Sequence, residues 1–243
     1  MSAMIRTDWP GLLEDAALDR LAERACGQQR GRAAFANRVR MAAMRVRENG
    51  WLQPAVASRR IEIAKLTKFS VHLAGCDEPM AVKRADRLFA GGRALVVSVK
   101  TLGPALEDEL TRLSRDHRMA DMMALEQVAV NCLFALSERE HDALIAACRA
   151  RGEDVGSPLC PGDGGFSFAG QARIYQLAGA DRIGVSLSQS GMLKPLKSLS
   201  SVVAIGLAVP TWARTETCGN CKAASKCRFR KHAGPPHMQA GAV

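Results

Sequence analysis

The sequence predicts a mixed α+β chain, and three observations predict it. Apolar residues recur at helical spacing through the first fifty positions. A short β-branched run at residues 94–99 leads into a sharp turn and a long helical stretch. Two more strand-like runs, residues 182–188 and 200–209, precede a basic tail that carries cysteines. This order is not the regular strand–helix alternation of a doubly wound fold.

Taken in order, residues 14–26 form the first expected helix, with Leu18, Leu21 and Ala25 in register and Cys26–Gly27 at its end. Residues 32–48 form the second: Phe35, Val39, Ala42 and Val46 make the apolar stripe, arginines flank it, and Asn49–Gly50 stops it. "RRIEIAKL", residues 59–66, fits a short strand or a helix turn. "ALVVSV", residues 94–99, is a buried strand by length and composition. Thr101-Leu102-Gly103-Pro104 then turns the chain. Glu107, Asp108 and Glu109 stand in the first turns of the next helix, where its dipole favours negative charge.

Two helices are expected next, over about 118–136 and 138–151. The methionines of the first, Met119, Met122 and Met123, read as core together with Leu125 and Val128. Residues 152–170 are rich in glycine and proline and read as loop. Residues 171–178 form a short helix. Ile183, Val185 and Leu187 alternate with small residues as a half-buried strand, and "SSVVAIGLAV" is a second apolar strand. Between them lies "SQSGMLKPLKS", a loop with Met192, Pro195, Lys194 and Lys197. There is no internal repeat. The expected organisation is a basic helical region over 1–60, an α+β domain over 61–232, and a tail of disordered composition over 233–243.

At 243 residues and 47% hydrophobic, the chain can bury a substantial core and is not a disordered segment. No apolar run reads as a membrane span, and the N-terminus lacks a secretory pattern, so a cytoplasmic protein is expected. The net charge of +10 is uneven: residues 20–60 hold ten arginines against two acidic residues, and residues 213–232 hold six basic residues against one. Such patches suit an anionic partner or simply a solvated surface. Aromatic residues are only 5%, poor material for stacking on single-stranded nucleic acid, which is therefore not expected as a partner.

Eight cysteines in a reducing compartment do not suggest a disulfide framework. Cys132 and Cys148 fall in helical apolar patterns and read as core. Cys218, Cys221 and Cys227 form C-x2-C-x5-C, a spacing that can present three thiolates to one metal. His232 would complete a zinc site; alternatively Cys160 is the fourth ligand, which suits zinc or an iron–sulfur cluster. Surrounding lysines and arginines would lower the thiol pKa values. The loop "SPLCPGDGG", residues 157–165, offers backbone N–H groups to a ligand. No phosphate-binding glycine fingerprint, H-E-x-x-H or G-x-S-x-G occurs.

Several segments in order resemble the activation (reactivation) domain of cobalamin-dependent methionine synthase. They are "HLAGC" (His72–Cys76), the Thr101–Gly103 turn, and Pro161–Gly162 followed by Gln171. The last is "IGVSLSQSGMLKPLKSLSSVVAIG", in which Ile183, Gly184, Val185, Leu187, Ser190, Met192, Pro195, Lys197 and Ser198 match the family's segment. The terminal cysteine cluster is similar to that of the free-standing relatives found with corrinoid methyltransferases. The resemblance covers roughly residues 70–230 and implies an α+β fold with a bent antiparallel sheet.

It implies S-adenosylmethionine as ligand, a cobalamin held by a methyltransferase subunit, and a flavodoxin- or ferredoxin-like electron donor. The function implied is reactivation in a split methyltransferase of the methionine synthase type. The ligand cleft it implies comprises Pro161, Gly162, Asp163, Gln189, Ser190, Met192 and Lys197. Three positions depart from the family pattern: Pro158 stands for an Arg, Asp163 for a Tyr, and Gln189 for a Glu. Arg151, Glu153 or Asp154, from the preceding segment, could replace those contacts. The alternatives are a metal-binding interaction module, an electron-transfer accessory for a corrinoid system and, least favoured, a nucleic-acid-binding module.

Overall fold

The computed structural model describes residues 4–15 and 29–212. The parts of the helix expected at 14–26 that lie beyond Asp15, and the whole C-terminal cysteine cluster with its basic neighbours, fall outside the described residues.

A long strand, β2 (Ala55–Leu66), organises the sheet. Along one edge it pairs antiparallel with β5 (Gly92–Thr101), from Ala55↔Thr101 to Glu62↔Ala94. Along its other edge, β1 (Met4–Arg6) pairs with the first half and β3 (Ser70–Leu73) with the second. β4 (Met80–Ala81) extends the sheet beyond β3. On the far side β5 pairs antiparallel with β9 (Ser198–Gly206), which pairs with the short β6 (Asp154–Val155). Register shifts occur at Ile63/Lys65 and at Gly92/Ala94; such irregularities bend the strands that carry them. Every ladder is antiparallel, as the α+β reading expects.

β5 is buried on both faces, which is why it reads as a continuous apolar run. Leu95, Val97 and Val99 face one core, with Ile61, Val202 and Ala204. Helix α6 (Gly170–Ala178) packs on this face through Ile174, Leu177 and Ala178. On the other face lie the helices: α1 (Leu12–Asp15), α2 (Gln29–Glu48), α4 (Ala105–Arg115) and α5 (Met119–Arg149). Here Val39, Val46, Leu106, Leu125, Val128, Cys132 and Leu136 form a second core with Trp9 and Leu12. The short α3 (Ala85–Leu88) links β4 to β5. Each buried Leu or Val side chain contributes on the order of 1.5–3 kcal/mol.

A polar row crosses the helical face of the sheet. Ser58, Ser98 and Ser201 stand opposite one another on β2, β5 and β9. Their small side chains leave room for Lys100, which is 1% exposed. Its Nζ donates to Ser98 Oγ at 2.9 Å and Ser201 Oγ at 2.7 Å, and lies 2.8 Å from Glu140 Oε2 on α5. All three ammonium donors thus have partners, as a buried lysine requires.

Several expectations are corrected. The two helices placed at 118–136 and 138–151 are one, because Ser137 is accommodated inside α5 as a buried residue. Met119 and Met123 are exposed and not core. α5 is also long and apolar enough to cross a membrane by length and composition, contrary to the reading that no such run exists. Half of its most apolar window is buried against the sheet and helices. The strand expected at 182–188 is a 3₁₀ turn over Ala180–Ile183 followed by the two-residue β7 (Ser186–Leu187). Gly179 and Gly184, both left-handed, bracket that turn and break the strand. "RRIEIAKL" resolves as strand. The boundary expected at residue 60 falls inside β2, and α2 shares its core with α4 and α5.

Candidate functional site

The loop over residues 157–169 crosses the α6 face of the sheet. At its start Leu159 bridges to Val202 of β9, with both backbone N–H groups donating at 2.9 Å. Near its end Phe166 bridges to Val82, and Lys83 N donates to Gly165 O at 2.7 Å. Between these anchors the loop closes on itself. Cys160 N donates to Asp163 Oδ2 at 2.7 Å, Asp163 N donates to Cys160 O at 3.0 Å, and Gly162 N donates to Phe166 O at 2.9 Å. Asp163 is therefore the loop's own staple. Burial pushes its carboxyl above the usual aspartate value, while the Cys160 N–H bond pulls it down.

The second half of the site is a hairpin. β7 pairs with β8 (Leu193–Lys194), and Ser188 caps the tip between them. Its N–H donates to Met192 O at 2.9 Å, its Oγ accepts from Met192 N at 3.0 Å, and it lies 2.9 Å from Ser190 Oγ. Gln189, Ser190 and Met192 are all exposed at this tip. Gly191 adopts φ +79°, which the tight turn requires.

Gln171 brings the two halves together. It is buried at the N-terminal end of α6 and donates its Nε2 to the Gly191 carbonyl. Its Oε1 accepts from Ser200 Oγ on β9 at 3.4 Å. The ring of Phe168 also lies against Gly191. It is thus the far end of the loop, Phe168 and Gln171, that meets the hairpin, while Pro161, Gly162 and Asp163 lie nearer the loop's start.

The floor of this region is the end of the β5–β9 pair. Ser198 Oγ donates to Thr101 Oγ1 at 2.9 Å, and Thr101 Oγ1 accepts from Gly103 N at 3.1 Å. Leu102 N donates to Lys197 O at 3.0 Å and Leu102 O accepts from Gln53 N at 2.9 Å. Gly103 sits at φ +83°, and a Cβ there would stand 2.6 Å from Gln53 Cβ. The Lys194–Pro195 bond is cis. The segment that follows is tied to the helical layer: Leu196 N donates to Glu107 Oε2 at 2.6 Å, and Lys197 Nζ to Glu126 Oε1 at 2.8 Å.

Of the residues expected in a ligand cleft, the hairpin group, Gln189, Ser190 and Met192, is presented together at one rim. Lys197 is engaged with α5. Arg151, Glu153 and Asp154 lie elsewhere: Asp154 pairs with Gly206, the opposite end of β9 from Ser198, a strand distance of about 26 Å. Glu153 is clasped there by Arg60 at 2.6 and 2.8 Å and by Arg151 at 2.9 Å. Those guanidiniums hold its carboxyl down at about 2. Cys160 is half-buried. Among the described residues no group of three or more His, Cys, Asp or Glu is placed to hold a metal; Cys218, Cys221, Cys227 and His232 lie outside them. The sequence does not reveal that Phe168 lies beside the hairpin, nor that Gln171 joins the hairpin to β9.

No family model matches the chain, and no curated protein matches it in sequence. Its fold does match a solved structure, the crystal structure of the MetH reactivation domain bound to AdoHcy. The TM-score is 0.69 at 11% sequence identity, over 93% of this chain and 86% of that one. The chain thus has the fold of that reactivation domain, as the segment resemblance implied.

Proposed function

We propose that this chain is the reactivation component of a cobalamin-dependent methyltransferase of the methionine synthase type, with the cobalamin carried by a partner subunit. The observation that carries the reading is the fold likeness over 93% of the chain to a reactivation domain bound to AdoHcy. AdoHcy is what S-adenosylmethionine becomes after giving up its methyl, so the likeness supports an S-adenosyl ligand here. In such chemistry one electron from a flavodoxin- or ferredoxin-like donor reduces cob(II)alamin, and the methyl passes from the sulfonium to cobalt. The protein's part is to hold donor and acceptor in line.

The residues proposed to line the ligand cleft are Pro161, Gly162 and Asp163 of the loop and Gln189, Ser190 and Met192 of the hairpin tip. Backbone groups and the serine hydroxyls would bind the ligand there, since Asp163 and Lys197 are already engaged. Zinc or an iron–sulfur cluster at Cys218, Cys221 and Cys227, with Cys160 or His232 as fourth ligand, remains part of the proposal on sequence spacing alone. The test is reconstitution: an inactivated, cob(II)alamin-bearing methyltransferase subunit with reductant and S-adenosylmethionine regains turnover when this protein is added. Turnover that is unchanged by its addition refutes the reading.

A further inference from the structure

On the side of the sheet away from the loops, α2, α4 and α5 enclose a cleft of about 430 Å³. That size falls within the range of small-molecule sites. Its floor is apolar. Ala42, Leu113 and Leu125 are buried there, and Trp51, half-buried, packs on the same core. Its walls are charged, with Arg38 and Arg45 from one stripe of α2 facing Arg118, Glu109 and Asp121.

Both carboxylates are already committed. Asp121 lies between Arg38 Nη1 at 2.6 Å and Arg118 Nη2 at 2.7 Å. Glu109 takes two hydrogen bonds from Arg112, at 2.6 and 2.7 Å. The hydrogen bonds from Arg118 to Asp121 and from Arg112 to Glu109 keep both below the usual carboxylate range. Arg112 is also paired with Asp116 at 2.7 Å, so four guanidiniums, Arg38, Arg45, Arg112 and Arg118, stand against three carboxylates. Arg45 adds to the field at Glu109, yet among the described residues it makes no ion pair or side-chain hydrogen bond. Its donors are unspent at the wall of a cleft floored by an indole and two leucines.

We propose that this cleft binds a small organic anion, a phosphate or carboxylate carried on a flat apolar ring, with the anion on Arg45 and the ring against Trp51. A guanidinium matches either oxyanion through paired N–H donors, and the indole and leucines accept the ring. The S-adenosyl cleft proposed above lies on the opposite face of the sheet, and this site does not depend on it.

The test is a calorimetric titration of the full chain at low salt with phenyl phosphate, with inorganic phosphate and with benzoate. Phenyl phosphate or benzoate should bind at one site per chain, about tenfold or more tighter than inorganic phosphate. Arg45→Glu should weaken that binding at least about tenfold, Arg45→Gln less, and Arg87→Glu, an exposed arginine outside the cleft, not at all. Each variant is checked for an unchanged circular dichroism spectrum. Saturating S-adenosylhomocysteine should leave the binding unaltered. Absence of saturable binding, equal losses in Arg45→Glu and Arg87→Glu, or displacement by S-adenosylhomocysteine would each overturn the proposal.

Discussion

Lys197 Nζ lies 2.8 Å from Glu126 Oε1, across 71 positions of sequence. The lysine is 12% exposed and the glutamate 28%. This pair fixes the segment after the hairpin to α5, so Lys197 orients the rim and does not reach into it. Lys197→Met should cost about 1–3 kcal/mol, because it strands a partly buried carboxylate. A double-mutant cycle with Glu126→Gln, followed by urea denaturation, should give a coupling of about 0.5 kcal/mol or more. Strict additivity would show that the two side chains do not interact.

Lys100 is a stronger case. Truncation to Ala removes three hydrogen bonds and leaves Glu140 facing an empty polar pocket. A loss of about 3–5 kcal/mol is expected in thermal or chemical unfolding. Replacing both members, Lys100→Met with Glu140→Leu, should recover a large part of it. Should the double variant be as unstable as the single, the cost would lie in packing and not in charge.

Gly103 tests the turn under the candidate cleft. Its φ of +83° and the 2.6 Å approach of Gln53 Cβ both oppose a side chain. Gly103→Ala should lose about 1–3 kcal/mol. Gly164→Ala, whose added Cβ would meet nothing within 4 Å, should stay within about 0.5 kcal/mol of wild type. Comparable losses in the two would show that the Thr101–Gly103 turn is not constrained as described.

Glu153 gives the pH dependence. Its carboxyl titrates at about 2 in the folded chain, against about 4.3 in an unfolded one. The unfolded state therefore binds the proton first as pH falls. Stability from this group is complete above the unfolded value and is lost as pH drops through the window towards 2. Urea midpoints measured from pH 5 to pH 2 should fall less steeply for Glu153→Gln than for wild type. Parallel curves would mean that Arg60 and Arg151 do not hold the carboxylate.

Much of this fold is legible in the sequence, for physical reasons that also mark where legibility ends. β5 and β9 are legible because both faces are buried and apolar, largely β-branched residues dominate each strand, despite the buried Ser98, Lys100 and Ser201. α2 reads correctly because one stripe faces the core and Asn49–Gly50 ends it. The break expected between residues 136 and 138 is absent because Ser137 is buried within one continuous helix. Of the strand expected over 182–188 only Ser186–Leu187 forms, because alternation at period two does not register the left-handed backbone at Gly184. In the site, the stretch 188–198 is legible as a loop from its small residues and Pro195, but the pairing of β7 with β8 there is not. Gln171 binding Gly191, and Lys197 binding Glu126, join residues 20 and 71 positions apart, and no local pattern encodes such pairs.

Gln171 joins the hairpin of the proposed cleft to β9. Gln171→Leu removes the donor to Gly191 and the acceptor for Ser200 in a side chain of similar volume. Binding of S-adenosylhomocysteine, followed by calorimetry, should weaken about tenfold or more while the folded state persists. Unchanged binding would place the ligand away from the hairpin.

The central claim is tested most directly by following a labelled methyl group. S-adenosylmethionine carrying an isotopic methyl is mixed anaerobically with reductant and a cob(II)alamin-bearing methyltransferase subunit, with and without this protein. The account predicts label on the cobalamin, matched by S-adenosylhomocysteine in equal amount, only when the protein is present, and a reduced yield with Gln171→Leu. Label transferred equally in its absence, or not at all in its presence, would contradict it.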